Sequence, residues 1–207
     1  MNTIVDRILK NQFLLIAEIG VNYYDIAAQY GISVLDAAKL MCLKAKDAGV
    51  HAVKFQTYKA ETLAAKKSPA YWDISEEYGE IREYCDSLGI EFCSTAFDFE
   101  SADYLDALMN VYKVSSSDLT NLPFIEYQAK KNKPIILSVG AGSLEEMRAA
   151  VRTIRQVNDK PLALCHCVLE YPTPYEDANL ARIVTLKKEF PDLHIGYSDH
   201  CKPDESY

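Results

Sequence analysis

Seven short apolar runs, separated by longer amphipathic segments, limit what this chain can fold into. The runs are residues 13–20 (FLLIAEIG), 51–57 (HAVKFQT), 91–97 (EFCSTAF), 111–117 (VYKVSSS), 134–140 (PIILSVG), 161–167 (PLALCHC) and 193–199 (LHIGYSD). They show little strict polar alternation, which is the pattern of strands buried on both faces. The segments between them carry helix signals. Ser33 with Asp36 opens a helix over 33–48 that Gly49 closes, and 76–88 is followed by Gly89. A short helix is expected over 100–108, and Asn121 can cap another with Pro123 in its first turn. Ser143 with Glu146 is a capping box before a helix to about Arg155, and Asn179 can cap a helix to about Glu189. Strand and helix in repeated alternation predict a parallel sheet in an α/β fold without an internal domain boundary. Seven strands and six helices fit an open doubly wound sheet. They also fit a (β/α)8 TIM barrel cut just after its seventh strand.

The position of polar residues favours the barrel, where many strand C-terminal ends converge on one site. The first run holds Glu18, followed by Asn22. The second holds Lys54 and Gln56, two apart and therefore on one face. The third ends in Ser94 and Thr95, and the fourth holds Lys113 before Ser115, Ser116, Ser117 and Asp118. Ser138, His166 and Ser198–His200 end the remaining three. A lysine inside a buried strand is costly unless paired. Two lysines among hydroxyls suit a phosphate or carboxylate. For Lys54 the plainer explanation is an ion pair with Glu18 on a neighbouring strand, and for Ser115–Ser117 it is a polar turn.

The chain of 207 residues carries a net charge of −8. That argues against nucleic acid or an anionic membrane as a partner, since both need a basic patch. The six cysteines include no C-x-x-C pair, so reduced thiols and a cytoplasmic location are expected. His51 and His194 lie at strand starts, where structural roles are expected. His166 lies between Cys165 and Cys167, but adjacent strand residues face opposite ways and do not easily share a metal. His200, beyond a strand end and beside Asp199, is the better metal or acid–base candidate. Val139-Gly-Ala-Gly-Ser143 lacks the third glycine of a dinucleotide fingerprint and reads as a tight strand-to-helix turn.

Taken together, IAEIGVN, AVKFQTYKAETL, FCSTAFDFES, YKVSSSDLTNLPFIEY, KPIILSVGAGSLEEM, LCHCVLEYPTPYEDANL and IGYSDH resemble, in this order, the sialic acid synthase (N-acetylneuraminate synthase) family. The resemblance implies a (β/α)8 barrel followed by a small antifreeze-like domain, usually in a homodimer. It implies condensation of phosphoenolpyruvate with N-acetylmannosamine or a related acylated amino sugar, with Mn²⁺ or Mg²⁺ as cofactor. The products are a nine-carbon sialic-type acid and phosphate. Carried onto this chain, Lys54, Thr95, Lys113, Ser116, Ser138 and Ser198 would bind phosphoenolpyruvate. Gln56 and Tyr171 would face the sugar, together with Glu18, which is also a catalytic candidate. Asp118 would be the base and His200 a metal ligand.

The chain departs from the family pattern at several places. Asp118 stands where a glutamate is common, Ala96 where a proline follows Ser-Thr, and Leu169–Glu170 where an asparagine is usual. Asn22-Tyr-Tyr-Asp25 replaces a family NHNG or NHEG, and the segment between Trp72 and Glu80 looks shortened. The sequence stops at Tyr207, soon after IGYSDH. The eighth strand, its second metal histidine and the small domain are therefore expected to be absent, with weak or no activity. Two alternatives are a Schiff-base aldolase using Lys54 or Lys113, and a non-catalytic barrel piece that pairs with a full-length synthase.

Overall fold

The computed structural model describes residues 3–59, 77–140 and 142–202. The shortened segment read between Trp72 and Glu80 lies outside the described residues up to position 76, as does the AETL part of the second motif. The chain divides into two compact units, Met1–Tyr112 and Lys113–Tyr207.

The first unit contains α1 (Thr3–Leu9), β1 (Ile16–Gly20), α2 (Tyr23–Tyr30), α3 (Val34–Asp47), β2 (Ala52–Thr57), α4 (Tyr78–Leu88), β3 (Glu91–Ala96) and α5 (Phe99–Asp106). Its parallel sheet has the order β1-β2-β3. Glu18 pairs with Lys54, Lys54 with Cys93, and Gln56 with Thr95. Residues paired in parallel strands share a face, so one face carries Glu18, Lys54, Gln56 and Thr95. The other face presents Phe55 and Phe92 to the helices. Tyr23 and Tyr78 meet Phe55 edge-on, with ring centroids 5.7 and 5.6 Å away, a geometry that adds to simple area burial. Ser33 caps α3 by accepting the Asp36 N–H. Where α3 and α4 meet, the buried Cys42 and Cys85 sulfurs lie 3.6 Å apart as free thiols. The helix α1 is tied down by Glu91, whose buried carboxylate accepts the Ile4 N–H at 2.7 Å and the Asn110 amide at 3.2 Å.

The second sheet has the order β4-β5-β6-β7. Its strands are β4 (Tyr112–Val114), β5 (Ile135–Ser138), β6 (Leu162–His166) and β7 (His194–Tyr197), with α6 (Leu122–Ala129), α7 (Leu144–Val157) and α8 (Ala181–Glu189) between them. Single 3-10 turns cover Ser116–Asp118 and Tyr175–Asp177. The capping box at Ser143 and Glu146 forms in both directions. Asn158, buried after α7, donates its amide to the carbonyls of Ala129 and Lys133 and accepts the Lys160 N–H.

All seven expected strands are present, slightly shorter than their apolar runs, and all six expected helices form. The parallel strand–helix order is that of the TIM-barrel type of α/β fold. Two expected caps differ. Asn121 precedes α6 but makes no side-chain cap bond. Asn179 takes a left-handed φ of 44° two residues before α8, and Leu180 occupies the cap position. Among the described residues no single helix is long and apolar enough to cross a membrane.

Candidate active site

In the first unit the candidates converge at the C-terminal end of the sheet. Lys54 is ion-paired with Glu18, as the plainer explanation had it. Its ammonium also points at the Thr95 hydroxyl, 3.4 Å away. The Lys54 side chain is 12% exposed and that of Glu18 49%, so the pair has one end in water. A bulge shifts the β1 register between Glu18 and Gly20, a device common beside active sites. Gly20, at φ 59°, lies against Glu18 and Gln56: a Cβ there would come within 3.4 Å of Glu18 Oε1 and Gln56 Oε1. Gly20 therefore lies at the site, and, having no polar side chain, it leaves no polar signal in the sequence. Ser94, which pattern reading grouped with Thr95, faces the opposite way and bonds Thr57 at 2.7 Å.

In the second unit Lys113 is buried, and its ammonium donates to Ser138 Oγ at 2.6 Å and to the Val114 carbonyl at 3.0 Å. β4 and β5 thus place a cation and a hydroxyl on one face, 25 residues apart in sequence. The serine run folds as a capped turn. Ser115 accepts the Ser117 N–H and hydroxyl, and Ser116 is buried. Asp118 ends this turn with Oδ2 buried and without a hydrogen-bond partner. Burial pushes its carboxyl above the ordinary aspartate value, partly offset by a hydrogen bond from Asn121. That direction suits a proton acceptor working near neutral pH.

Ser198, Tyr171 and His200 form one cluster. His200 Nδ1 lies 2.6 Å from the Val168 carbonyl. A carbonyl only accepts, so Nδ1 carries the proton and Nε2 presents its lone pair. Nε2 faces the Tyr171 hydroxyl at 3.2 Å and Ser198 Oγ at 3.4 Å. The Tyr171 ring also packs on the imidazole, with centroids 4.1 Å apart. Asp199, the sequence neighbour of His200, bonds other groups. Its Oδ1 accepts the Tyr197 hydroxyl at 3.0 Å and the Cys201 N–H at 2.9 Å. His166, counted among the strand-end polar residues, faces away from Ser138, because Ser138 pairs with Cys165. Its Nε2 meets the Ala178 carbonyl at 2.8 Å and its ring stacks on Tyr197.

An imidazole oriented by a carbonyl at Nδ1, with the lone pair on Nε2, is the usual form of a metal-ligating histidine. His200 fits as one ligand. Among the described residues no group of three His, Cys, Asp or Glu side chains adds the rest of a metal centre.

Parallel strand–helix units with cationic and hydroxyl side chains at strand C-terminal ends define a TIM-barrel-type α/β protein. The chain belongs to the NeuB family, whose model matches residues 71–205. It is 41% identical over 174 residues to an uncharacterised protein of Methanocaldococcus jannaschii, a match covering 80% of this chain and 51% of that protein. It is 37% identical over 211 residues to the N,N'-diacetyllegionaminic acid synthase of Legionella pneumophila, covering 90% and 57%. The crystal structure of the N-acetylneuraminic acid synthetase of Leptospira borgpetersenii superposes with a TM-score of 0.81 at 32% identity, covering 92% of this chain and 66% of that one. The chain spans about half the length of the curated relatives it matches.

Proposed function

We propose that the chain carries the phosphoenolpyruvate-condensing half-reactions of a sialic-type sugar acid synthase. Phosphoenolpyruvate would join N-acetylmannosamine or a related acylated amino sugar, releasing phosphate. The observation that carries this reading is the buried Lys113–Ser138 contact. A cation held by a hydroxyl at a strand end is suited to an anionic group, because removal from water strengthens the charge interaction. Relatives named as legionaminic, neuraminate-phosphate and pseudaminic acid synthases support the sugar acid class. The sugar itself differs among them.

Lys113, Ser116 and Ser138, and separately Lys54 with Thr95, would bind phosphate or carboxylate oxygens, and Ser198 would add a hydroxyl. Glu18, Gln56 and Tyr171 would face the sugar. The C3 carbon of phosphoenolpyruvate attacks the aldehyde carbon, forming the new C–C bond, and the aldehyde oxygen takes up a proton. The oxocarbenium-like C2 accepts water, whose proton passes to Asp118. The C–O bond to phosphate then breaks as the C2 hydroxyl becomes the ketone carbonyl, and its proton leaves with inorganic phosphate. A divalent cation, Mn²⁺ or Mg²⁺, with His200 Nε2 as one ligand, would supply Lewis-acid polarisation of the aldehyde oxygen.

The test is phosphate release from phosphoenolpyruvate in the presence and absence of N-acetylmannosamine. Release that depends on the sugar and is lost in Lys113→Met supports the synthase. Borohydride trapping of a pyruvate adduct on Lys54 or Lys113, without phosphate release, would replace it with an aldolase. The donor contacts of both ammonium groups favour the first outcome.

A further inference from the structure

We infer that the Tyr171 hydroxyl and a divalent cation compete for the lone pair of His200 Nε2. The inference rests on the proposed role of His200 as a metal ligand. The imidazole is fixed from its other side. Nδ1–H donates to the Val168 carbonyl at 2.6 Å, so Nε2 is an acceptor whichever group approaches it. The Tyr171 hydroxyl therefore donates to Nε2, at 3.2 Å. The Ser198 hydroxyl lies at 3.4 Å, too far for a strong bond. Nε2 has a single lone pair, so a cation that takes it must displace the Tyr171 hydroxyl.

Local structure carries Tyr171 to that position. The loop after β6 is laced to the segment after β7. The Thr173 N–H donates to the His200 carbonyl at 2.8 Å, and Thr173 and Cys201 form a parallel bridge. The Tyr175 hydroxyl donates to the Lys202 carbonyl at 2.7 Å. Thr173 also closes the loop on itself, its hydroxyl donating to the Glu170 carbonyl at 2.7 Å. These bonds set the Tyr171 ring over the imidazole, with centroids 4.1 Å apart. Yet Tyr171 is 68% exposed. Water or a sugar hydroxyl can satisfy its O–H once Nε2 is taken, so the bond to His200 exchanges at little cost. The ring and the loop need not move. The hydroxyl proposed to face the sugar is thus released when the cation arrives. By reciprocity, a sugar that engages that hydroxyl tightens the cation.

The experiment compares the unchanged chain with Tyr171→Phe, which keeps the ring, removes the hydroxyl and lies at an exposed position that tolerates the change. Imidazole ¹⁵N NMR follows His200, its signal assigned by loss in His200→Gln, at a pH where histidine is neutral. Mn²⁺ is titrated, and the concentration that halves the His200 signal is read. Tyr171→Phe should bind Mn²⁺ about two- to tenfold more tightly, the worth of one hydrogen bond. Ser198→Ala, which removes the more distant hydroxyl, should gain less. Weaker binding in Tyr171→Phe makes the hydroxyl a ligand and overturns the inference, as do equal affinities or a His200 signal that Mn²⁺ does not broaden in either chain. Adding N-acetylmannosamine should tighten Mn²⁺ in the unchanged chain, and less so in Tyr171→Phe. Tighter Mn²⁺ in Tyr171→Phe with no effect of the sugar supports the competition and removes Tyr171 from the sugar site. A chain that shows the competition yet releases no phosphate from phosphoenolpyruvate keeps this inference and loses the synthase reading.

Discussion

Lys113 and Lys54 differ in what their loss should do. Lys113 is buried and donates to two oxygens. Lys113→Met leaves the buried Ser138 hydroxyl and the Val114 carbonyl without this donor, so it should melt at a lower temperature, by the equivalent of about 1–3 kcal/mol. Phosphoenolpyruvate binding, measured by calorimetry on the folded protein, should also weaken by roughly tenfold to a hundredfold, the range for hydrogen bonds to a charged group. Lys54→Met leaves Glu18 with half its side chain in solvent. Water can replace the lost cation, and stability should change by no more than about 1 kcal/mol. Asp118 gives a pH signature. Its folded carboxyl is raised by burial, so its contribution to stability is present at low pH and is lost as pH rises through the folded value. Asp118→Asn removes that loss. Its melting temperature should gain on the unchanged chain as pH goes from 4 to 8, and a constant gap would contradict the burial account. These residues were visible in the sequence as polar groups at strand ends. Their pairings were not, because Lys113 and Ser138 meet only through β4–β5 contact across 25 residues.

At the scale of elements, strands and long helices were legible because their apolar runs and Ser33 and Ser143 caps are local signals. Two short helices were not. α1 has seven residues and depends on Glu91, far along the chain, to hold its first turn. α2 lies in the segment that reads as a variant loop motif, and it buries only Tyr23 and Ala27, one turn apart. The caps at Asn121 and Asn179 failed for a related reason: residue type alone does not reveal that Pro123 removes a donor or that Asn179 takes a left-handed turn. Within VGAGS the two glycines are not equally crowded. A Cβ on Gly140 would lie 2.5 Å from both the carbonyl oxygen and the sulfur of Cys167, whereas on Gly142 it would meet the movable Leu119 Cδ2. Gly140→Ala should therefore cost about 1–3 kcal/mol, the usual penalty of overpacking, and Gly142→Ala distinctly less. Thermal melts of the two variants decide this, and equal losses would contradict it.

For the whole molecule, the α/β class and the parallel order followed from counting alternating runs, since a crossover helix between each pair of strands leaves few other topologies. The two compact units, Met1–Tyr112 and Lys113–Tyr207, were not foreseen, because no linker or composition shift marks the join. The bond between Ile4 and Glu91 has a consequence for how the molecule is made. The two residues are 87 positions apart. At a synthesis rate of roughly 5–20 residues per second, α1 leaves the ribosome about 4–17 s before the strand that receives it. During that interval Ile4 and Ile8, both buried in the finished fold, have no docking site. The α1 helix must therefore wait, its apolar face uncovered, for a strand made much later.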